Sequence, residues 1–321
     1  MEIIGEGLDE VLIQLYGKLL TCTSRNTGSR GSTVEMLGVA LRISKPRARI
    51  SRSENRGKPF SALGELLWYL AGSDRLDFIE PYVKQYRKDA VNGIIQGAYG
   101  PRIFAMREKF DQVLSVTQLL SKRPTSRRAV IQLFNAEDIA SEHKEVPCTT
   151  TLQFHLREGR MHMSATLRSN DAYWGLPHDV FCFTMLQEMM ARRLGVELGE
   201  YYQYVGSMHV YEDFHEAMRQ YVAEGHHRTV EMPSMPAGDP FEVVDTLLGA
   251  EKRIRIGEKV IATDVFSEPY WADIIRLLQV FWETGHDERL DELAQEFVSP
   301  IYRSYLEGRR NMRPRPLEPH A

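Results

Sequence analysis

Residues 8–20, LDEVLIQLYGKLL, repeat their apolar positions at helical spacing and predict an amphipathic opening helix. SRNTGSRGST, rich in Gly, Ser, Thr and Arg, predicts a loop. TVEMLGVALRI alternates well enough to predict a strand, and SKPRARISRSENRGKPF a polar, basic connection. Residues 61–71, SALGELLWYLA, are strongly apolar and predict a helix with one acid inside it, Glu65. The densest strand signals follow in RRAVIQLF, TTTLQFHLREG and RMHMSATLRS, with Glu158 and Gly159 suited to the turn between the last two. Residues 179–194, DVFCFTMLQEMMARRL, predict a long buried helix, and YYQYVGSMHVY another strand. In the last third, HRTVEMPSMPAGDP is a Pro-containing loop. Ile274, Leu277, Leu278 and Phe281 then share one face of a helix over 271–283. The tail RRNMRPRPLEPHA is expected to be poorly ordered at its end. No repeat, low-complexity tract or linker interrupts the pattern, so it predicts one α+β domain.

Composition narrows the function class. With 43% hydrophobic and 26% charged residues, the 321-residue chain has the make-up of a soluble globular protein with a substantial core. A net charge of −4 argues against a general nucleic-acid binder, yet a local arginine cluster can still hold a small phosphorylated ligand. Cys22, Cys148 and Cys182 form neither a disulfide framework nor a CxxC pair, which points to a reducing cytosol. The N-terminal MEIIGEGLDEVL has early acids where a secretory leader has a basic start. No apolar run approaches the ~18–20 residues needed to span a bilayer. The expectation is a cytoplasmic protein without membrane or nucleic-acid partners.

Three features carry candidate chemistry. Cys148 follows Pro147 at the start of a predicted strand, where a structural thiol and a reactive one are both consistent with the residues. Arg127 and Arg128 stand side by side at a strand start, and Arg168 opens RSND; guanidinium groups suit bidentate phosphate contact. RSNDAYWGLPHDVF, residues 168–181, gathers polar and charged residues around a Gly-Leu-Pro turn, with Asp179 placed to cap the following helix. His155 and His162 lie on adjacent predicted strands in ordinary polar positions. They make a poor case for a cysteine hydrolase, as do His226 and His227 for a metal site.

Taken together, these motifs resemble the thymidylate synthase and pyrimidine-nucleotide hydroxymethylase superfamily. The resemblance runs in order over residues 10–220, through GELLWYLAG (64–72), AYG (98–100), SRR (126–128), PC and LQF (147–154), RSNDAYWGLPHDV (168–180) and GSMHVY (206–211). It implies a curved β-sheet packed by helices and a homodimer joined sheet to sheet, with residues from about 225 to 321 a helical extension of the same domain. It implies that Cys148 is the nucleophile toward ring C6. Arg168 and Ser169 would hold the nucleotide phosphate, with Arg127 and Arg128 of a second subunit and either Arg25 or Arg30. Gln153 would contact the nucleotide, and His209 and Tyr211 the sugar. Glu65 and Tyr99 would organise water and proton transfers. Asp171 and Gly175 would meet the folate co-substrate, methylenetetrahydrofolate, with no metal required.

Departures from the methylating branch bear on the substrate. That branch carries Asn where this chain has Asp179, and His where it has Thr149. An ionised carboxylate cannot donate to uracil O4, but it can accept from N3–H and N4–H of a cytosine attacked at C6. CTTTLQ, RSND and GSMHVY look most like the deoxycytidylate hydroxymethylase branch. The expected reaction is therefore C5 hydroxymethylation of dCMP or CMP, in which water captures an exocyclic methylene. The alternatives are methylation of dUMP and, in another class, a nucleotide-binding dimer without catalysis. The ending PLEPHA, in place of a short apolar tail, is consistent with admitting water.

Overall fold

The computed structural model of the chain describes residues 1–28, 31–53, 59–140 and 142–316. Seven strands among them are β1 (Glu2–Gly5), β2 (Arg25–Gly28), β3 (Gly31–Ile43), β4 (Val130–Gln132), β5 (Thr149–Arg157), β6 (Arg160–Asp171) and β7 (Glu197–Tyr211). They join one mixed sheet in the order β1-β3-β7-β6-β5-β4, with β2 paired to β3 alone. The β1–β3 and β6–β7 pairs are parallel. Glu158 and Gly159 link β5 to β6 with φ of 50° and 71°, as a two-residue hairpin turn requires.

Two local readings are corrected. SRNTGSRGST is not all loop, because Arg25–Gly28 pairs with Gly31–Val34 and backbone ladder bonds outweigh the weak strand propensity of those residues. RRAVIQLF contributes only Val130–Gln132 to the sheet, and Arg127 and Arg128 precede the strand in solvent.

The longer helices are α1 (Leu8–Thr21), α2 (Pro59–Leu70), α3 (Tyr99–Phe104), α4 (Gln112–Lys122), α5 (Gly175–Arg193), α6 (His215–Glu224), α7 (Val244–Arg255), α8 (Pro269–Trp282) and α9 (Asp287–Glu296). In α1 the residues Leu8, Val11, Leu12, Leu15, Tyr16 and Leu19 form one buried stripe, and the helix packs on β1 and β3. Helix α5 covers β6 and β7, α2 packs on α5, and α8 packs on α2. A helix enclosed on several sides has no reason to be amphipathic, which explains why α2 is apolar almost all round; α8 is buried all round too, with Asp273 and Arg276 paired to each other and Gln279 to the Val260 carbonyl. Helix α8 starts at Pro269, and the Glu268 carboxylate accepts from the backbone N–H groups of Tyr270 and Trp271 at 2.6 and 3.3 Å. Buried apolar residues form one cluster from Ile3 to Leu306. Arg309 and Arg315 lie over the Phe60 and Phe281 rings at 4.2 and 3.7 Å, so the tail is packed at least to Arg315; residues 317–321 fall outside the described ones.

The sheet bends where the site begins. The β3–β7 ladder passes over Gly38 and Gly206, and the β6–β7 ladder passes over Arg168 and Gly206. Gly38 has φ of 65°, and a Cβ on Gly206 would sit 2.8 Å from the Arg168 carbonyl oxygen. Glycine at these levels allows the strands to approach and turn together. On α2, a Cβ at Gly64 would fall 2.1 Å from the Tyr82 ring. Gly64→Ala is expected to destabilise the fold by ~1–3 kcal/mol through overpacking, lowering the thermal midpoint. An unchanged midpoint in a melting scan would show that Tyr82 can move aside.

Candidate active site

The ends of β5, β6 and β7 meet the first turn of α5 and the inner face of α2. Helix α5 begins at Gly175, four residues ahead of the sequence expectation, so Asp179 is an internal helical residue and not its cap. The terminal loop is held instead by Asp171, whose Oδ1 accepts from the backbone N–H groups of Tyr173 and Trp174, both at 2.8 Å. His178 and Asp179 thereby point toward α2 and β6 respectively, as their partners show.

Cys148 is part-buried at the foot of β5, and none of the three cysteines, all among the described residues, is in a disulfide. Its carbonyl accepts from Arg168 N–H at 2.9 Å. The Arg168 guanidinium donates to the carbonyls of Pro147 and Val146 at 2.9 and 2.8 Å. Arg168 therefore braces the peptide that presents Cys148, and its side chain is exposed at the same time. Tyr99 approaches from α3, its hydroxyl accepting from Thr149 N–H at 3.0 Å. Burial first, then the neighbouring Cys148 and Asp179, push the Tyr99 hydroxyl well above its ordinary value. Cys182 is a different kind of cysteine. It is buried in α5, and burial, then the Glu65 charge, hold it as a thiol.

Glu65, only 5% exposed, carries the densest polar contacts. Its Oε2 lies 2.5 Å from His178 Nδ1, and its Oε1 accepts from the hydroxyls of Tyr86 and Tyr69 at 2.6 and 3.1 Å. Burial opposes its charge, but the bond and charge of His178, with the two tyrosine hydroxyls, hold the carboxyl below its ordinary value. Asp179 behaves oppositely. One edge stays part-exposed, but its carboxyl is ringed by protein; burial, then the Glu65 charge, push it up to about 8. A single Asn170 amide, donating to Oδ2 at 2.5 Å, pulls the other way. Asn170 is oriented in turn by Gln203 at 3.3 Å, and Gln203 by the Tyr201 hydroxyl at 2.6 Å. At neutral pH Asp179 is thus an acid with both a donor and an acceptor, which corrects the expectation of an ionised carboxylate.

Of the other anticipated residues, Ser169 and His209 meet across the parallel β6–β7 pair, Oγ to Nδ1 at 3.3 Å, and Tyr211 packs edge-on to His209. Gly175 leaves room where a Cβ would come 3.1 Å from the Asn170 amide and 3.8 Å from Asp179. Arg25 pairs with Glu212 at 3.0 Å, beside Tyr211; Arg30 lies outside the described residues. Arg127 and Arg128 stand exposed at the sheet edge, and the Gln153 amide donates to the Arg127 carbonyl at 2.9 Å. Sequence reasoning gave no role to His178, Tyr86, Tyr69 or Asn170. The signal available was the one-turn spacing of Ser61 and Glu65 on α2, which lets both reach one partner.

Comparison with known proteins accords with this geometry. The family model described as thymidylate synthase matches residues 24–242. The chain belongs to the thymidylate synthase family. Similar relatives include a deoxyuridylate hydroxymethyltransferase of Bacillus phage SP01, 30% identical over 248 residues, covering 71% of this chain and 65% of that protein. The deoxyuridylate hydroxymethyltransferase of Pseudomonas phage M6 is 33% identical over 167 residues, covering 50% of this chain and 47% of that protein. The thymidylate synthase of Symbiobacterium thermophilum is 30% identical over 174 residues, covering 50% and 61%. The chain therefore spans 47% to 65% of the length of these curated relatives. The α+β architecture, a mixed sheet packed by helices, is consistent with the thymidylate synthase fold. Among the described residues no helix is long and apolar enough to cross a membrane.

Proposed function

We propose that the protein transfers a one-carbon unit to C5 of a pyrimidine nucleoside monophosphate, and that its reaction is hydroxymethylation of a cytosine nucleotide, dCMP or CMP. The observation that carries this reading is Asp179, a carboxyl held as an acid at the base-reading position, beside the ionised Glu65.

In this reading the Cys148 thiolate forms a bond to ring C6, and the π pair of the C5–C6 double bond is drawn toward N3. Cytosine N3 becomes basic at that moment, and Asp179 delivers its proton there. The carboxylate that remains accepts from N3–H and N4–H. Uracil N3 already bears hydrogen, so a carboxamide would serve uracil equally without a buried titrating group. C5, now enamine-like, would take up the new carbon, and loss of the C5 proton with departure of the carrier amine as tetrahydrofolate would leave an exocyclic methylene on the ring. Water adds to the exocyclic methylene, giving up a proton to the ionised Glu65; N3 then returns its proton to Asp179 as Cys148 departs as thiolate and the ring double bonds re-form.

Methylenetetrahydrofolate, when bound, supplies that carbon at the oxidation level of formaldehyde. The residues near Asp171 fit a flat ring system. Trp174 is exposed beside Phe214 and Tyr173, and Gly175 presents no side chain. The nucleotide phosphate would be met by Arg168 and Ser169, by Arg25 or Arg30, and by Arg127 and Arg128 of a second copy. Sheet-to-sheet pairing is supported by the open face of the sheet, where Leu37 and Tyr204 are 73% and 52% exposed.

Incubation of the protein with dCMP, CMP and dUMP, each with methylenetetrahydrofolate, tests the reading by product mass. A cytosine product heavier by CH2O supports it and names the sugar. A uracil product heavier by CH2 would return the protein to methylation. A uracil product heavier by CH2O is the second reading. It is favoured by the deoxyuridylate named as substrate of the two phage relatives, and by the donor and acceptor that a protonated Asp179 offers to O4 and N3–H.

A further inference from the structure

Glu65 and Ser61 lie one turn apart on α2 and face the same imidazole on α5. His178 Nδ1 is 2.5 Å from Glu65 Oε2, and His178 Nε2 is 3.0 Å from Ser61 Oγ. Both ring nitrogens are thus engaged, one by a carboxyl and one by a hydroxyl that can either donate or accept. We propose that His178 is a positioning residue of this site, holding Glu65 in place and in its charged form, with Ser61 fixing the imidazole. The inference rests on the one-carbon-transfer reading above, in which Glu65 accepts a proton from water.

The argument is one of hydrogen-bond accounting. Glu65 Oε1 is met by two tyrosine hydroxyls and Oε2 by the imidazole, so with the imidazole proton on Nδ1 three donors converge on one carboxyl. A protonated Glu65 would have to turn one of these contacts around, donating to the imidazole while Ser61 accepts from Nε2–H, and would then accept from only two groups. The charged form is the one that uses all three. Asp179, next to His178 in the chain, meets one side-chain donor, Asn170. Two carboxyls sharing a buried pocket do not readily ionise together. The one with three donors keeps the charge, and the other keeps the proton. His178 therefore divides the work, making Glu65 the base and, through the Glu65 charge, Asp179 the acid. The remaining titratable groups in the surroundings are Tyr69, Tyr86, Tyr99 and Cys182, with Glu145 beyond Tyr86 and Cys148 beyond Tyr99. All four of the nearer ones are held neutral by burial, so none replaces the imidazole.

The test is the pH profile of kcat for tritium release from a C5-labelled pyrimidine nucleotide. In His178→Phe, kcat is expected to fall about 10–100-fold and the acidic limb to move up by about one pH unit or more. The alkaline limb should stay in place, because Glu65 is still charged where Asp179 titrates. KM for the nucleotide should stay within about threefold, since the base and phosphate contacts remain. His178→Gln keeps a donor without a titrating ring and should fall between the two. Glu65→Gln combined with His178→Gln should be no slower than Glu65→Gln alone. An unmoved acidic limb with wild-type kcat in either His178 variant would overturn the proposal, as would losses that add in the double variant. If His178→Phe does not fold, His178→Gln carries the test. Wild-type protein that releases no tritium from any pyrimidine nucleotide would instead sink the functional reading itself.

Discussion

Cys148→Ala is expected to lose tritium release and product formation by about four orders of magnitude or more, while still binding the nucleotide. The reason is that every later step depends on the bond from Sγ to C6, without which C5 is not nucleophilic. Arg168 should continue to brace the 146–147 peptide and remain exposed, because its bonds go to carbonyl groups and not to the thiol. Calorimetric titration with the nucleotide checks the binding half, and labelled substrate the chemical half. Turnover within about tenfold of wild type would exclude Cys148 as the nucleophile. The same substitution at Cys182 offers the contrast, since that thiol is buried against the Ala62 carbonyl and has no access to a ring.

Asp179→Asn should lower the ratio of kcat/KM for cytosine over uracil nucleotides by about 100-fold or more. A carboxamide can still pair with cytosine in the ground state, but it has no proton to give N3. The loss should therefore appear in kcat more than in KM. Wild-type kcat/KM for the cytosine nucleotide should decline as pH rises through about 8, where Asp179 ionises, and that limb should vanish for the uracil nucleotide in Asp179→Asn. Stability should follow the same group. Its folded pKa is raised, so between the ordinary carboxylate range and about 8 the folded state binds more protons than the unfolded. Its contribution to stability is thus lost as pH rises across that window, and the substitution should flatten the dependence. A selectivity ratio that does not change would remove Asp179 from base reading.

Much of this framework is visible in the chain. The alternating runs of β5, β6 and β7 and the apolar α1, α2 and α8 follow from periodicity, because burial of a strand face or a helix stripe is a local constraint on sequence. Cys148, Glu65, Asp179 and the arginines are marked by the motifs around them. The loop expectation for Arg25–Gly28 fails because the adjacent strand β3 lends those polar residues a ladder. The expected N-terminus of α5 fails because Asp171, three residues ahead of Trp174, stabilises the turn that lets the helix begin early.

What the sequence by itself determines is therefore the principal strands and helices of the core, the family and the identity of the chemical groups. What only the tertiary structure decides is their state of charge. Asp179 reads as a carboxylate in the chain, yet it becomes an acid through burial and through Glu65, a residue 114 positions earlier. His178 reads as a helical residue next to it, and becomes Glu65's partner only when α2 packs on α5. Protonation is set by the free energy of placing charge in a local dielectric among particular donors. Those surroundings are assembled from segments distant in the chain, so no local pattern can encode them.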